Sequence, residues 1–290
     1  MGRELARRFP SAARALEEAN AVLGFDLRRL CFEGPEDALQ RTVNAQPALL
    51  ATSIAALRAA EESLGTLQPP AFVAGHSLGE FTALVAAEVL DLADALRLVR
   101  RRGELMHEAD PSGGMLAVIG LDADAIERAI ASTGCVVAND NAPGQVVISG
   151  SKEALERASA ALASAGARRI LPLRVSGAFH SPAMRGVGDA LARDMGQIAF
   201  RDARIAVVTN VDAEPHRRAA DFPPLLARQA YSPVRWVASV RRMAGERVYR
   251  YVEFGAGNVL TGLIKRIDAL ARVASVQDPE SLGEARAVLR

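Results

Sequence analysis

Ala71-Phe72-Val73-Ala74-Gly75-His76-Ser77-Leu78-Gly79 joins a short apolar run to a stretch with no helix breaker before Val89. The run has strand length and Gly75 closes it. The Ala/Leu/Val-rich residues from about 78 to 89 read as a helix. Gly75-His76-Ser77-Leu78-Gly79 at the junction fits the G-x-S-x-G elbow, a turn that lifts a serine hydroxyl above the end of a sheet. The five-residue pattern is weak alone, and its flanking elements give it weight. Both glycines are expected to be needed where strand and helix pack closely. The turn sets Ser77 beside a helix N-terminus, where free N–H groups and the dipole favour a developing oxyanion. Leu78 N–H is the candidate donor. The plainer alternative is an ordinary strand-glycine-helix junction.

Outward from the elbow, elements alternate. Residues 3–16 and 17–23 are helical by apolar spacing, and another helix begins at Gln46-Pro47. Residues 65–70 break it. Asp91 reads as the N-cap of a helix reaching about Ala109. Beyond Pro111 the order changes to strand 115–119, helix 122–132, strands 135–139 and 145–149 about a Pro143-Gly144 turn, helix 151–165 and strand 169–175. That βαββαβ order is the ferredoxin-like pattern. It predicts a small subdomain, residues 112–175, inserted into a larger unit of residues 1–111 and 176–290. The larger unit resumes with helix 182–195, strand 205–209, helix 222–229, a helix through Val240, strand 249–254 and a final helix from Val259. Alternation of this kind predicts an α/β sheet covered by helices on both faces. Gly255-Ala256-Gly257 is no dinucleotide fingerprint, because Leu260 stands at the third glycine position.

Composition narrows the function classes. Of 290 residues 50% are apolar, enough for a sizeable core. Lys plus Arg total 35 against 34 Asp plus Glu, so no overall field draws nucleic acid or an anionic membrane. Cys31 and Cys135 stand far apart with no metal-ligand spacing, which suits a reducing cytosol. No apolar run reaches membrane-spanning length, and the first residues carry no signal-peptide core. A cytoplasmic protein is expected.

Ser77 needs a base. His76 adjoins it, but its side chain should leave the tight turn in another direction. His107 lies between Glu104 and Glu108 on a solvated helix face, and His216 lies beside Arg217 and Arg218. His180 follows a strand, in the loop Ser176-Gly177-Ala178-Phe179-His180-Ser181-Pro182, where sheet enzymes keep their chemistry. The alternative for His180 is a loop residue that caps a helix. No acid stands out as a third member, and a backbone carbonyl could orient the imidazole instead.

The stretch AGHSLGEFTALVAAEVLDLADALRLVRRRGELM, with VSGAFHSPAM, ANDNAPGQVVISG, RQAYSPVRW and GNVLTGLIKR, resembles the malonyl-CoA:acyl-carrier-protein transacylases of bacterial fatty-acid synthesis. The resemblance runs along nearly the whole chain in the family's order. It implies an α/β-hydrolase-like large domain with an inserted ferredoxin-like subdomain. It also implies transfer of malonyl from malonyl-CoA to the thiol of acyl carrier protein through a malonyl-serine. Ser77 would be the nucleophile, His180 the base, the Gln229 carbonyl the group that orients it, and Leu78 N–H an oxyanion donor. Arg102 would hold the malonyl carboxylate, as a guanidinium fork can. Residues alone would leave Arg100, Arg101 and Arg102 solvated on their helix. Phe179 would crowd an α-methyl and disfavour methylmalonyl; the alternative is a core phenylalanine. Asn139, Asn141 and His76 would face substrate, although turn chemistry also accounts for the asparagines. No metal or bound cofactor is implied, and a monomer is expected.

Two departures from the family stand out. The family opens with a strand and a Gly-Gln-Gly-Ser-Gln-like segment that supplies a second oxyanion donor, whereas Met1-Gly2-Arg3-Glu4-Leu5 resembles the stretch just after it. The strand and that donor are therefore expected to be absent, and a weakened form is one reading. Ser232 stands where the family has asparagine before Pro233-Val234. The rival functions are an acyltransferase or acyl hydrolase serving a polyketide synthase, a non-catalytic carrier-binding protein, and a generic esterase.

Overall fold

The computed structural model describes residues 1–65, 67–110, 112–175 and 177–289, so the expected boundary residues Pro111 and Ser176 lie outside the described residues. The chain opens in helices α1 (Arg3–Arg8), α2 (Pro10–Leu23), α3 (Leu27–Glu33), α4 (Glu36–Gln40) and α5 (Thr42–Leu64). The helix expected over 3–16 is broken at Phe9, which is extended (φ −121°), and Pro10 starts α2 at the position where its missing N–H is harmless. Ala12 and Ala15 of α2 and Ala51 and Ala55 of α5 are fully buried and let the two helices approach closely. Leu16 and Leu50 are buried in the same core; burying such a side chain contributes about 1.5–3 kcal/mol.

Then come β1 (Phe72–Ala74), α6 (Gly79–Ala86) and α7 (Leu92–Ala109). The Asp91 carboxylate accepts the Asp94 N–H at 2.8 Å and caps α7 as expected. Next are β2 (Gly113–Ile119), α8 (Ala123–Ile130), β3 (Val136–Ala142), β4 (Gln145–Ser151), α9 (Lys152–Ser164) and β5 (Arg169–Pro172). The four strands form an antiparallel sheet in the order β3-β4-β2-β5, the ferredoxin-like order. Val118, Ile126, Ile130, Val146, Ile148 and Leu162 give this sheet and its two helices a core of their own. β5 stops at Pro172 instead of reaching Val175.

The chain continues through α10 (Arg185–Met195), β6 (Ala206–Val208), β7 (Pro215–His216), α11 (Phe222–Gln229), α12 (Trp236–Gly245), β8 (Arg250–Phe254), α13 (Val259–Ile267), β9 (Arg272–Val276) and α14 (Pro279–Leu289). The helix from Val259 is therefore not the last element. Residues 272–276 hold only two β-branched side chains, too weak a signal to read as a strand. β1 runs parallel to β6, β7 is antiparallel on β6, and β8 runs parallel to β9. The fold is α/β, with the ferredoxin-like unit inserted between α7 and α10. Val234 N–H donates to Ala138 O (2.9 Å) and Asp140 N–H to Val234 O (3.0 Å), so the edge of β3 is pinned to the loop after α11. No helix among the described residues is long and apolar enough to cross a membrane.

Candidate active site

β1 delivers the chain to Gly75, and α6 carries it away from Gly79. A Cβ at position 75 would drive into the Gly79 carbonyl, so only glycine fits there. At position 79 a Cβ would meet nothing within 4 Å, so the expectation that both glycines are needed holds for Gly75 alone. Ser77 between them has φ 51°, a left-handed conformation that a non-glycine residue adopts only when its surroundings hold it. Asn210, just beyond β6, supplies that hold. Its Nδ2 donates to Gly75 O at 2.7 Å, and its Oδ1 accepts the Ser77 N–H at 2.7 Å. The Leu78 N–H meets no acceptor among the described residues and stays available at the start of α6.

The serine hydroxyl meets the expected histidine. Ser77 Oγ lies 2.8 Å from His180 Nε2. His180 Nδ1 lies 2.9 Å from the Gln229 carbonyl, which can only accept, so Nδ1 carries the proton and Nε2 is free to take one from Ser77. His180 is 4% exposed, with φ 57°. Burial pushes its pKa down to about 3, and the nearby Arg102 charge adds to the effect. The imidazole is therefore neutral, the state a general base needs.

Arg102 is the third group at this point, and solvation is the wrong reading for it. It is 2% exposed, whereas Arg101 is exposed and pairs with Asp194, and Arg100 is half-buried beside Glu104. Arg102 Nη2 donates to Ser77 Oγ (3.0 Å) and to Gln229 Oε1 (3.1 Å), and Nη1 donates to Gln46 Oε1 (2.8 Å). Its Nε has no partner. Burial lowers its pKa to about 10, which leaves it charged at neutral pH. Ser77 Oγ thus accepts from a cation on one side and faces a neutral base on the other.

The remaining candidates surround this centre. His76 turns away from Ser77, as expected; its Nε2 lies 2.7 Å from Asn141 Oδ1, and its ring packs on Trp236. Asn139 is buried on β3, beside the bridge to Val234. Phe179 is 9% exposed and belongs to the main core, although it precedes His180 in the same loop. His216 pairs with Asp212 at 3.0 Å, away from Ser77. A cleft of about 360 Å³ opens beside His180, lined by Ile130, Cys135 and Val137 on the ferredoxin-like side and by Tyr231 and Pro233 on the other. Among the described residues no cluster of His, Cys, Asp and Glu could hold a metal ion.

Sequence reasoning missed Gln46, Glu80 and Asn210. All three are buried polar residues, and Glu80 is fully buried. The one available signal was Glu80 itself, a charge on an otherwise apolar helix next to Phe81, Ala83 and Leu84.

Residues 1–284 match the family model described as an acyl transferase domain. The chain is 43% identical over 289 residues to the malonyl CoA-acyl carrier protein transacylase of Bacillus subtilis (strain 168), covering 97% of this chain and 90% of that one. The solved acyl carrier protein S-malonyltransferase of Vibrio cholerae superimposes with a TM-score of 0.95 at 41% identity, covering 99% and 95% of the two chains. A structure of a type II PKS acyl-carrier protein in complex with its malonyl-transacylase matches with a TM-score of 0.94 at 43% identity, covering 97% and 93%.

Proposed function

Because the chain belongs to the acyl transferase domain family, among the malonyl CoA-acyl carrier protein transacylases, we propose that it moves a malonyl group from malonyl-CoA to the thiol of an acyl carrier protein through an ester on Ser77. The observation that carries this reading is the meeting of a serine, a neutral histidine and a buried arginine at one oxygen. A generic esterase has no use for a buried cation there, whereas an acyl group that ends in a carboxylate does.

In the first half-reaction His180 Nε2 takes the Ser77 proton as Oγ attacks the thioester carbonyl. Leu78 N–H, at the N-terminus of α6, faces the developing oxyanion. The tetrahedral adduct collapses, and the coenzyme A sulfur leaves with the proton from His180. In the second half-reaction the carrier thiol gives its proton to His180 and attacks the ester, and Ser77 Oγ departs with that proton. Every bond and proton balances with malonyl-CoA, the carrier thiol and these side chains. The Gln229 carbonyl keeps His180 in the working tautomer through both halves. Arg102 pairs with the malonyl carboxylate. Phe179 limits room for an α-substituent, while Asn139 and Asn141 line the approach from the ferredoxin-like side and His76, bonded to Asn141, lines it from the elbow.

We assign residues 1–111 and 176–290 to the catalytic domain and residues 112–175 to the subdomain, in keeping with the separate core of the latter. A cytoplasmic setting accords with two buried, unpaired thiols. The relative solved with a type II PKS acyl-carrier protein supports a second reading, service to polyketide carriers. Incubation with malonyl-CoA and either a fatty-acid or a polyketide holo-carrier separates the two. Malonyl on the carrier is expected; hydrolysis without transfer would refute acyl transfer.

A further inference from the structure

Glu80 follows Ser77 by three residues and is fully buried, yet the acyl-transfer steps do not use it. Its Oε2 accepts the backbone N–H of Asn210 (2.9 Å) and Gln229 Nε2 (2.9 Å), while Oε1 has no partner. Each acceptor bond reaches the site by a different route. Asn210 grips both sides of the Ser77 turn, at Gly75 O and Ser77 N. Gln229 Nε2 also donates to Ser77 O (3.0 Å), its Oε1 accepts from Arg102, and its backbone carbonyl holds His180. The amide of Gln229 therefore has one possible orientation, with its NH2 toward the carboxylate and its oxygen toward the guanidinium.

We propose that Glu80 is a positioning residue: through Asn210 and Gln229 its carboxylate holds the Ser77 turn, the His180-orienting carbonyl and Arg102 in one register. This inference deepens the acyl-transfer reading and rests on it for the identity of the acyl group, but not for the reactivity of Ser77. An ionised carboxylate is the stronger acceptor for both N–H groups. Burial raises the pKa of Glu80 to about 7, against the opposing pull of its bonds to Gln229 and Asn210 and of the Arg102 charge. Arg102 and Asp212 are the charged groups that act on it; Asn210 and Gln229 are neutral. The reactivity of Ser77 should accordingly rise as pH passes through about 7.

The test uses the full chain with Glu80→Gln and Glu80→Ala, and two readouts. A fluorophosphonate label reports the Ser77–His180 pair whatever the natural acyl group, and malonyl transfer to holo-carrier reports the whole reaction. Glu80→Gln keeps an acceptor oxygen but cannot ionise. It should label within about threefold of wild type at pH 8 and lose the inflection near pH 7. Glu80→Ala should label at least tenfold more slowly. An inflection that persists in Glu80→Gln, or a wild-type labelling profile that is flat from pH 6 to 8, would overturn the inference even if Glu80→Ala does not fold. Normal labelling by Glu80→Ala would do the same. Labelling that behaves as expected without malonyl transfer would leave Glu80 in its role and remove malonyl as the acyl group.

Discussion

Arg102 Nη2 stands 3.0 Å from Ser77 Oγ, so the buried cation of the site touches the nucleophile itself. An acyl group esterified to that oxygen and ending in a carboxylate finds its counter-charge already in place. Three of the five guanidinium N–H groups are engaged, to Gln46, Gln229 and Ser77, and Nε has no partner. The bond to Ser77 is the one an arriving carboxylate can replace without breaking the scaffold.

Arg102→Ala should therefore change selectivity more than reactivity. A charge-assisted hydrogen bond contributes about 1.5–3 kcal/mol, so kcat/KM for malonyl-CoA should fall about 10- to 160-fold. The value for acetyl-CoA should hold or rise. Steady-state kinetics with both thioesters checks this; equal losses would show that Arg102 serves structure alone.

The pH dependence follows from His180. Its pKa is depressed from 6.5 to about 3, chiefly by burial and then by Arg102. For a group whose neutral form is favoured on folding, the stabilisation is present above pH 6.5 and is lost as pH falls toward 3. The imidazole should stay neutral from pH 5 to 8, so its ¹⁵N shifts should show no protonation step over that range. Because Arg102 contributes to the depression, added malonate should raise the His180 pKa. A free-enzyme titration centred near 6.5 would refute the buried, neutral base.

The elbow glycines should behave oppositely. Gly75→Ala has no room for its Cβ and should yield little folded protein. Gly79→Ala meets open space at the start of α6 and should stabilise the chain by up to ~1 kcal/mol, since alanine is the better helix former. Thermal melts of the two variants decide the matter.

Asn210→Ala removes both clamps on a turn held at φ 51°. Losing these two hydrogen bonds should cost about 1–3 kcal/mol of stability. The transfer rate should fall further than stability alone explains, because Ser77 is then free to relax from its strained conformation. Denaturant unfolding set beside kcat separates the two effects.

Local chemistry made much of this legible. The elbow is announced by Gly75 and Ser77 between a strand and a helix, and βαββαβ emerges from periodicity and the Pro143-Gly144 turn. Asp91 signals its cap. What stayed hidden depends on contacts distant in sequence. Any residue has a carbonyl, so nothing at Gln229 marks it as the group behind His180; only the family resemblance pointed there. Arg102 looks like its neighbours Arg100 and Arg101 until α7 is packed against α5. Asn210 and Gln46 are polar residues whose roles exist only once β1 lies beside β6 and α5 beside α7. Similarly, β9 is too poor in β-branched residues to read alone, and becomes a strand by pairing with β8.

The most direct test of acyl transfer through Ser77 is intact-mass and peptide analysis of the full chain after brief exposure to malonyl-CoA. The expected result is one malonyl group, carried by the Ser77 peptide, absent from Ser77→Ala and discharged by holo-carrier. An unmodified Ser77, or a malonyl group on another residue, would contradict it.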